Sequence, residues 1–157
     1  HRDLSQLMAR GTITPVLGIA LAALAFGPAL AGAAVHPHKI GADAVAGKIF
    51  ARPDTKVTHE KGSTFEDNIT LMTTDKKFET GMYRSGPAHY DSRKKDYGGD
   101  EFMYFVKGSV TLTSVDGDVQ VIHAGEAVTI PHDWRGTFDT KGYTKFYAIY
   151  SASGNAD

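Results

Sequence analysis

The amino-acid sequence predicts an all-β fold, a small barrel or sandwich, preceded by an N-terminal hydrophobic helix. Three observations lead to this fold class. Short runs of β-branched and aromatic residues recur between positions 69 and 150, and turn residues separate them. Asp116-Gly117 lies between two alternating runs and favours a tight hairpin, because both residues accept positive φ. No segment after position 36 has a helical hydrophobic period.

The predicted β domain covers residues 68–153 and consists of short strands joined by turns. Further chain reversals are expected at Lys107–Ser109 and Thr140–Gly142, where a glycine lies among polar residues. Residues 34–67 are expected to form an extended arm, with a short strand around Lys48–Phe50. The strands of the domain are expected at Ile69–Met72, Phe78–Tyr83, Glu101–Val106, Val110–Val115, Val119–Ile122, Ala127–Ile130, Thr137–Phe138 and Lys145–Tyr150.

The N-terminal segment differs sharply in composition from the rest of the chain. Residues 13–35 carry no charge and are rich in Ala and Leu, and Arg2 and Arg10 precede them. Gly27-Pro28 then breaks the apolar run, and small residues follow it. This pattern is typical of a secretory signal peptide over residues 1–33. The alternative is a retained membrane anchor, since residues 13–35 are long enough to contact and span a bilayer. The expected location of the β domain is therefore periplasmic or secreted, or anchored to the membrane outside the cytoplasm.

Charge and cysteine content exclude several classes of function. The 157-residue chain has a net charge of -1, and its Lys and Arg residues are scattered among Asp and Glu. Because the sequence has no basic stripe that could follow a phosphate backbone, we expect no nucleic-acid partner. The chain has no cysteine, which excludes disulfides, zinc–thiolate sites and cysteine nucleophiles.

Two motifs in the β domain resemble the paired blocks of the cupin superfamily. Glu101 is followed after six residues by Gly108, and Gly125 is followed after five residues by Pro131. The resemblance covers residues 68–150 and implies a single-domain cupin barrel of the jelly-roll type. The local sequence is most similar to the cupin 3 branch, the ethanolamine-utilisation and ureidoglycine-aminohydrolase-like small cupins. The stretches that carry this similarity are Thr74–Gly81, Asp100–Thr113, Gly125–Asp139 and Lys145–Tyr147.

Glu101 is the main candidate for a functional residue. Strand alternation places Glu101, Met103 and Phe105 on one face, so Glu101 points into the barrel if the two apolar residues fill it. A carboxylate at that place needs a cation, a hydrogen-bonded ligand or a proton.

The histidines that the cupin resemblance implies are missing. In metal-binding cupins an H-x-H pair precedes the glutamate, and here those positions hold Lys94 and Asp96, or Lys95 and Tyr97 in a shorter spacing. The third histidine would fall on Gly136. We therefore expect no metal cofactor of the usual kind, because transition metals are generally bound by several converging imidazole or carboxylate ligands.

Three other histidines leave an atypical divalent metal as an alternative. His89, His123 and His132 all lie in the same third of the chain and could supply substitute ligands. The simpler interpretation places His89 and His132 in surface loops and His123 at a strand end.

Further candidates for the pocket come from the same strand logic. Lys145 and Tyr147 share one face of the last strand, so Lys145 either pairs with Glu101 or is a solvated lysine. Trp134 lies in the turn after Pro131 and is either a lid over a ligand or a hydrophobic cap. Tyr83 is expected in the core, with a hydroxyl that could reach the cavity.

Three hypotheses for function follow. In the first, the chain is an exported or membrane-anchored cupin that binds a small polar metabolite. In the second, it is a hydrolase or aminohydrolase of small ureido or amide compounds, with Glu101 as acid/base. In the third, it is an accessory subunit of a membrane complex, because of its hydrophobic N-terminus and long arm. The arm could also form a homodimer.

Overall fold

The structure, a computed structural model, describes residues 32–154. Residues 40–154 form one compact unit, which contains every helix and strand of the described range. Residues 32–39 lie outside that unit and have no helix or strand. The predicted hydrophobic helix falls mostly outside the described residues and stays a prediction. Of the helices between positions 32 and 154, none has the length and hydropathy that a membrane span requires.

Two short helices precede eight strands, which confirms the all-β prediction. Helix α1 is followed by a 3-10 helix, and β5 and β8, at 15 residues each, are the longest strands. The elements are α1 Ala42–Val45, the 3-10 helix Lys48–Ala51, β1 Lys56–Glu60, β2 Ser63–Met72, β3 Phe78–Ser85, β4 Ala88–Asp91, β5 Asp100–Ser114, β6 Val119–His123, β7 Ala127–Ile130 and β8 Gly136–Tyr150.

All strand pairs are antiparallel, and the strand order is β1-β2-β3-β8-β5-β6. Strand β4 pairs with the first half of β8, and β7 pairs with the first half of β5. Because β5 and β8 pair with each other along most of their length, they form the centre of the sheet.

The sheet buries apolar side chains on both of its faces. On the inner face, Met103, Phe105 and Val110 of β5 alternate with exposed or half-buried residues, as the period of a strand requires. On the outer face, Ile49 and Phe50 of the 3-10 helix pack against Met82 of β3. The inner cluster surrounds the charged groups described below, while the outer cluster fixes the N-terminal helices to the sheet.

The chain reversals expected at Lys107–Ser109 and Thr140–Gly142 are wrong. Both segments are irregularities within the continuous strands β5 and β8, where the pairing register shifts. Gly108 has φ 72°, and a Cβ atom there would lie 2.0 Å from the carbonyl oxygen of Gly142. Glycine permits a β-bulge for the same reason that it permits a turn, so the local sequence did not distinguish the two.

The N-terminal part of the fold also differs from expectation. The strand expected around Lys48–Phe50 is a 3-10 helix, because Ile49 and Phe50 both turn towards the outer core. Strands begin at Lys56 and Ser63, well before position 68, so the segment predicted as an extended arm already belongs to the sheet.

Candidate functional site

The inner face of the sheet contains a buried ion pair between Glu101 and Lys145. Lys145 Nζ lies 2.6 Å from Glu101 Oε1, and the side chains are only 1% and 6% exposed. Of the two alternatives left open for Lys145, the structure shows the pairing with Glu101 and excludes the solvated lysine. A role of either residue in ligand binding stays a prediction.

Lys145 reaches Glu101 because its long side chain runs along the strand. Glu101 is opposite Ile149 on β8, whereas Lys145 is opposite Phe105 on β5. The two residues are thus offset by four positions, about 13 Å at the usual rise of a strand. The two long side chains together bridge this offset, and Lys145 Nζ lies 5.6 Å from the ring centre of Tyr147, the next inward residue of β8.

Three tyrosine rings surround the lysine ammonium group. Lys145 Nζ lies 5.6 Å from the ring centres of Tyr83 and Tyr147 and 5.8 Å from that of Tyr143. Tyr83 and Tyr143 also stack on each other, with ring centres 6.1 Å apart. Aromatic faces attract a cation, so the rings stabilise the ammonium group in a place from which water is excluded. Sequence reasoning named Tyr83 and Tyr147 but missed Tyr143.

Glu101 is held in its ionised form by its neighbours. Burial by itself raises the pKa of the carboxyl group, whereas the charge of Lys145 and the hydrogen bonds from Lys145 and Tyr97 lower it. The net result is a pKa below the ordinary value of 4.5. At neutral pH the carboxylate is therefore negative and paired.

Tyr97 supplies the second contact of Glu101 and was not predicted as a site residue. Its hydroxyl donates a hydrogen bond to Glu101 Oε2. Burial, together with the charge of Glu101, raises the pKa of Tyr97 well above 10, so the hydroxyl keeps its proton and remains a donor. Tyr97 occupies one of the positions where the cupin resemblance implied a histidine.

A second buried polar group lies on the same face and was missed by sequence reasoning. The hydroxyl of Tyr147 is 2.8 Å from Asp67 Oδ1 and also contacts Glu79 Oε1. Asp67 and Glu79 are 7% and 1% exposed. Because both lie far from Tyr147 in the sequence, only the pairing of β2, β3 and β8 brings them together.

Trp134 lies between the charged cluster and a groove. Its ring packs edge-on against Tyr97, with centres 5.9 Å apart, and its Nε1 donates to Ser114 Oγ at 3.0 Å. The groove has a volume of about 190 Å³, and Trp134 and Ile130 are among its wall residues. Ile130 is the strand partner of Glu101, so the groove runs beside the strand that carries the carboxylate.

The three histidines do not form a cluster. His89 and His132 are exposed, and each contacts a carboxylate of its own, Asp139 and Asp100. His123 is exposed at the end of β6. Between positions 32 and 154, no group of three or more His, Cys, Asp or Glu residues is arranged to hold a metal ion.

The residues at the expected metal-ligand positions do not fit a metal of the usual cupin kind. Gly136 is buried, and a Cβ atom there would lie 2.3 Å from Thr113 O and 2.4 Å from Trp134 Cζ2. An imidazole therefore has no space at this position. Lys94 and Asp96 are exposed, and Glu101 already faces an ammonium group.

Comparison with protein families finds a match within the β domain. Residues 73–147 match the EutQ-like cupin domain. No curated protein matches the sequence significantly.

Solved structures give the same result for the fold. A Pseudomonas syringae protein of unknown function matches with a TM-score of 0.54 and 18% identity, over 60% of this chain and 43% of that chain. Ectoine synthase from P. lautus matches with a TM-score of 0.51 and 15% identity, over 68% of this chain and 76% of that chain. The EutQ protein of Clostridium difficile matches with a TM-score of 0.49 and 20% identity, over 63% of this chain and 77% of that chain. The first two similarities support a cupin-like barrel.

Proposed function

Because the chain belongs to the cupin superfamily, in its EutQ-like branch, we propose that its barrel binds a small polar metabolite without a resident metal ion. The observation that carries this proposal is the buried contact of 2.6 Å between Lys145 Nζ and Glu101 Oε1. The ammonium group supplies the positive charge that a buried carboxylate requires. A metal ion at Glu101 would have to displace it.

The groove beside Trp134 is the proposed entrance for the ligand. Its wall residue Trp134 is connected to the charged pair by a chain of contacts from Trp134 to Tyr97, from Tyr97 to Glu101 and from Glu101 to Lys145. Its volume of about 190 Å³ is below the ~300 Å³ at which sites for drug-sized ligands begin. This size favours a metabolite of few atoms over a nucleotide or another large cofactor.

The buried charges favour a ligand with hydroxyl or amino groups. The buried charged side chains between positions 32 and 154 are Asp67, Glu79, Glu101 and Lys145, three carboxyl groups beside one ammonium group. A carboxylate oxygen that faces a ligand accepts a hydrogen bond from it, so a ligand that donates through hydroxyl or amino groups suits these side chains best.

Two measurements test this proposal. Metal analysis of protein purified without chelator should find no stoichiometric Mn, Fe, Ni or Zn, in the wild type or in Glu101→Gln. Thermal unfolding with glycine, a small ligand that carries an amino group, should show a rise in Tm for the wild type that Lys145→Met loses. A stoichiometric metal that Glu101→Gln removes would sink the metal-free proposal.

The second candidate is a hydrolase or aminohydrolase of small ureido or amide compounds. The observation in its favour is that Glu101 has a proton-bearing group on each oxygen, Lys145 Nζ and the hydroxyl of Tyr97. Such an arrangement can move protons during hydrolysis. Release of ammonia from urea by the wild type, abolished in Glu101→Gln and retained in Lys107→Met, would favour the enzyme over the binding protein.

We also propose that the domain acts outside the cytoplasm, either exported or anchored. The support is the uncharged run 13–35 behind Arg2 and Arg10. N-terminal sequencing of the native protein checks this, since a start at Ala34 indicates cleavage of a signal peptide.

A further inference from the structure

The small residues at the end of the uncharged N-terminal run determine where a mature chain begins. Signal peptidases cut after a small-x-small pattern, and residues 31–33, Ala-Gly-Ala, provide one. Cleavage after this pattern belongs to the exported form of the proposed function, and the inference below rests on it. The mature chain then starts with Ala34, Val35 and His36, so His36 is its third residue, behind a free α-amino group.

A histidine in the third position completes a set of nitrogen donors for a metal ion. The donors are the amine of Ala34, the backbone nitrogens of Val35 and His36, and Nδ1 of the His36 imidazole. Only a few covalently linked atoms separate each donor from the next, so one ion can bind all of them in one plane. Square-planar nitrogen coordination is typical of Cu(II), which also has the highest affinity among the divalent first-row metals.

We propose that the mature N-terminus binds one Cu(II) ion through these nitrogens. Copper replaces the protons of the Val35 and His36 backbone amides, which are released to the solvent, while the amine and the imidazole bind through their lone pairs. Exported proteins meet an oxidising environment, in which copper is present as Cu(II). The site adds copper capture to the metabolite binding proposed for the barrel.

Residues 32–39 meet the structural requirements of such a site. All of them are exposed, and none lies in a helix or strand. Between positions 32 and 154, the structure shows no hydrogen bond from the backbone N–H of Val35 or His36, nor from the His36 ring. A copper ion can therefore take these groups without breaking any hydrogen bond of the described chain.

The position of Pro37 directs the chelate towards the chain end. Pro37 separates His36 from His38 and has no N–H proton that copper could replace. Chelation through the backbone therefore cannot continue from His36 to His38, and it runs back to the amine of Ala34. Pro37 also disfavours a helical conformation at His36, which keeps this end of the chain extended.

Copper titration of the exported protein gives the direct test. N-terminal sequencing should first show that the mature protein starts at Ala34. Titration with copper sulfate is then carried out in excess imidazole, which removes copper from single surface histidines. The wild type should bind one Cu(II) per chain, with the violet colour and the electron paramagnetic resonance spectrum of a square-planar nitrogen complex.

Four variants separate this site from other copper sites. Loss of an outer-shell partner already weakens metal binding about 10–100-fold, so His36→Ala should raise the Kd for copper at least about a hundredfold. Val35→Pro keeps every histidine but removes one of the amide protons, and it should weaken binding as strongly. His38→Ala is the matched control and should bind like the wild type. Glu101→Gln should also bind like the wild type, since the site uses no residue of the barrel.

The outcomes distinguish this inference from the proposals on which it rests. A chain that starts at Ala34 and binds copper equally well with and without His36 overturns the copper site alone, as does one that binds no copper. A different start, or a retained leader, overturns the site together with the proposed cleavage, because His36 is then not the third residue. Copper that Glu101→Gln removes lies in the barrel and contradicts the site at the chain end.

Discussion

Replacement of Lys145 by Met is predicted to destabilise the fold strongly at neutral pH. Methionine keeps the unbranched shape of the side chain and removes its charge, so Glu101 loses its cation while it stays 6% exposed. Removal of one partner of a buried pair typically costs about 3–5 kcal/mol. We expect about 3 kcal/mol, the lower end, because Tyr97 still donates a hydrogen bond to the carboxylate.

The cost of Lys145→Met should shrink as the pH falls. In the wild type the pKa of Glu101 is below 4.5, so its stabilising contribution is complete above that value and is lost only as the pH falls through the folded-state pKa. In the variant, burial is no longer outweighed by Lys145 and raises the folded-state pKa of Glu101 above 4.5. Between that raised pKa and 4.5, the folded variant binds more protons than the unfolded chain. Its free energy of unfolding therefore rises as the pH falls through this range.

Urea unfolding of wild type and variants, at about pH 7 and about pH 5, checks both statements. The double variant Glu101→Gln/Lys145→Met should be within about 1 kcal/mol of the wild type, because neither charge is then left alone. Lys107→Met, at an exposed lysine of β5, is the control and should change the free energy of unfolding by less than about 0.5 kcal/mol. A loss below about 1 kcal/mol for Lys145→Met, or one that is equal at both pH values, would refute the role assigned to the pair.

Two further predictions concern the bulge and a surface histidine. Gly108→Ala should lower the free energy of unfolding by at least about 2 kcal/mol, because φ at this position is 72° and the new Cβ atom would lie 2.0 Å from Gly142 O. Gly117→Ala is the control, since φ is 90° there but no atom lies within 4 Å. It should cost about 1 kcal/mol in the same urea unfolding experiment. The side-chain hydrogen bond to Asp100 and the negative charge of Asp100 raise the pKa of His132 above 6.5, so its stabilising effect is present below pH 6.5 and is lost as the pH rises through the raised value. Asp100→Asn should lower that pKa in an NMR titration, and an unchanged pKa would contradict the assignment.

Strand periodicity predicted the main pair of the site only as one of two alternatives. The period of two allows Glu101 on the inner face of β5 and Lys145 on the inner face of β8. A buried carboxylate needs a cation, which made the lysine a candidate partner. Local pattern could not exclude a solvated lysine, because whether Lys145 is buried depends on how the strands pack.

The rest of the site depends on information that local patterns lack. Asp67 and Glu79 contact Tyr147 from 80 and 68 residues away in the sequence. Their meeting depends on the register between β2, β3 and β8, and a shift of one residue would turn every side chain to the other face. Sequence reasoning placed the start of the barrel at position 68, which left Asp67 outside it.

The bulges show the same limit at the level of the backbone. Gly108 and Gly142 led to the prediction of chain reversals, because glycine readily adopts the positive φ that tight turns require. In the structure both glycines lie where β5 and β8 cross closely, and the strands continue past them. Whether a glycine closes a turn or a bulge depends on the partner strand, which lies 34 residues away here (positions 108 and 142).

Two of the positions that lack the expected histidines, Tyr97 and Gly136, belong to one connected arrangement. Gly136 leaves the space that the Trp134 ring fills, since a Cβ atom would lie 2.4 Å from Trp134 Cζ2. Trp134 in turn packs on Tyr97, whose hydroxyl donates to one oxygen of Glu101, while Lys145 occupies the other. Restoring a histidine at Gly136 alone would expel Trp134 and loosen Tyr97 before it supplied a ligand. These residues are therefore packed as a unit around the lysine–glutamate pair, and a metal site of the usual cupin kind would require several of them to change together.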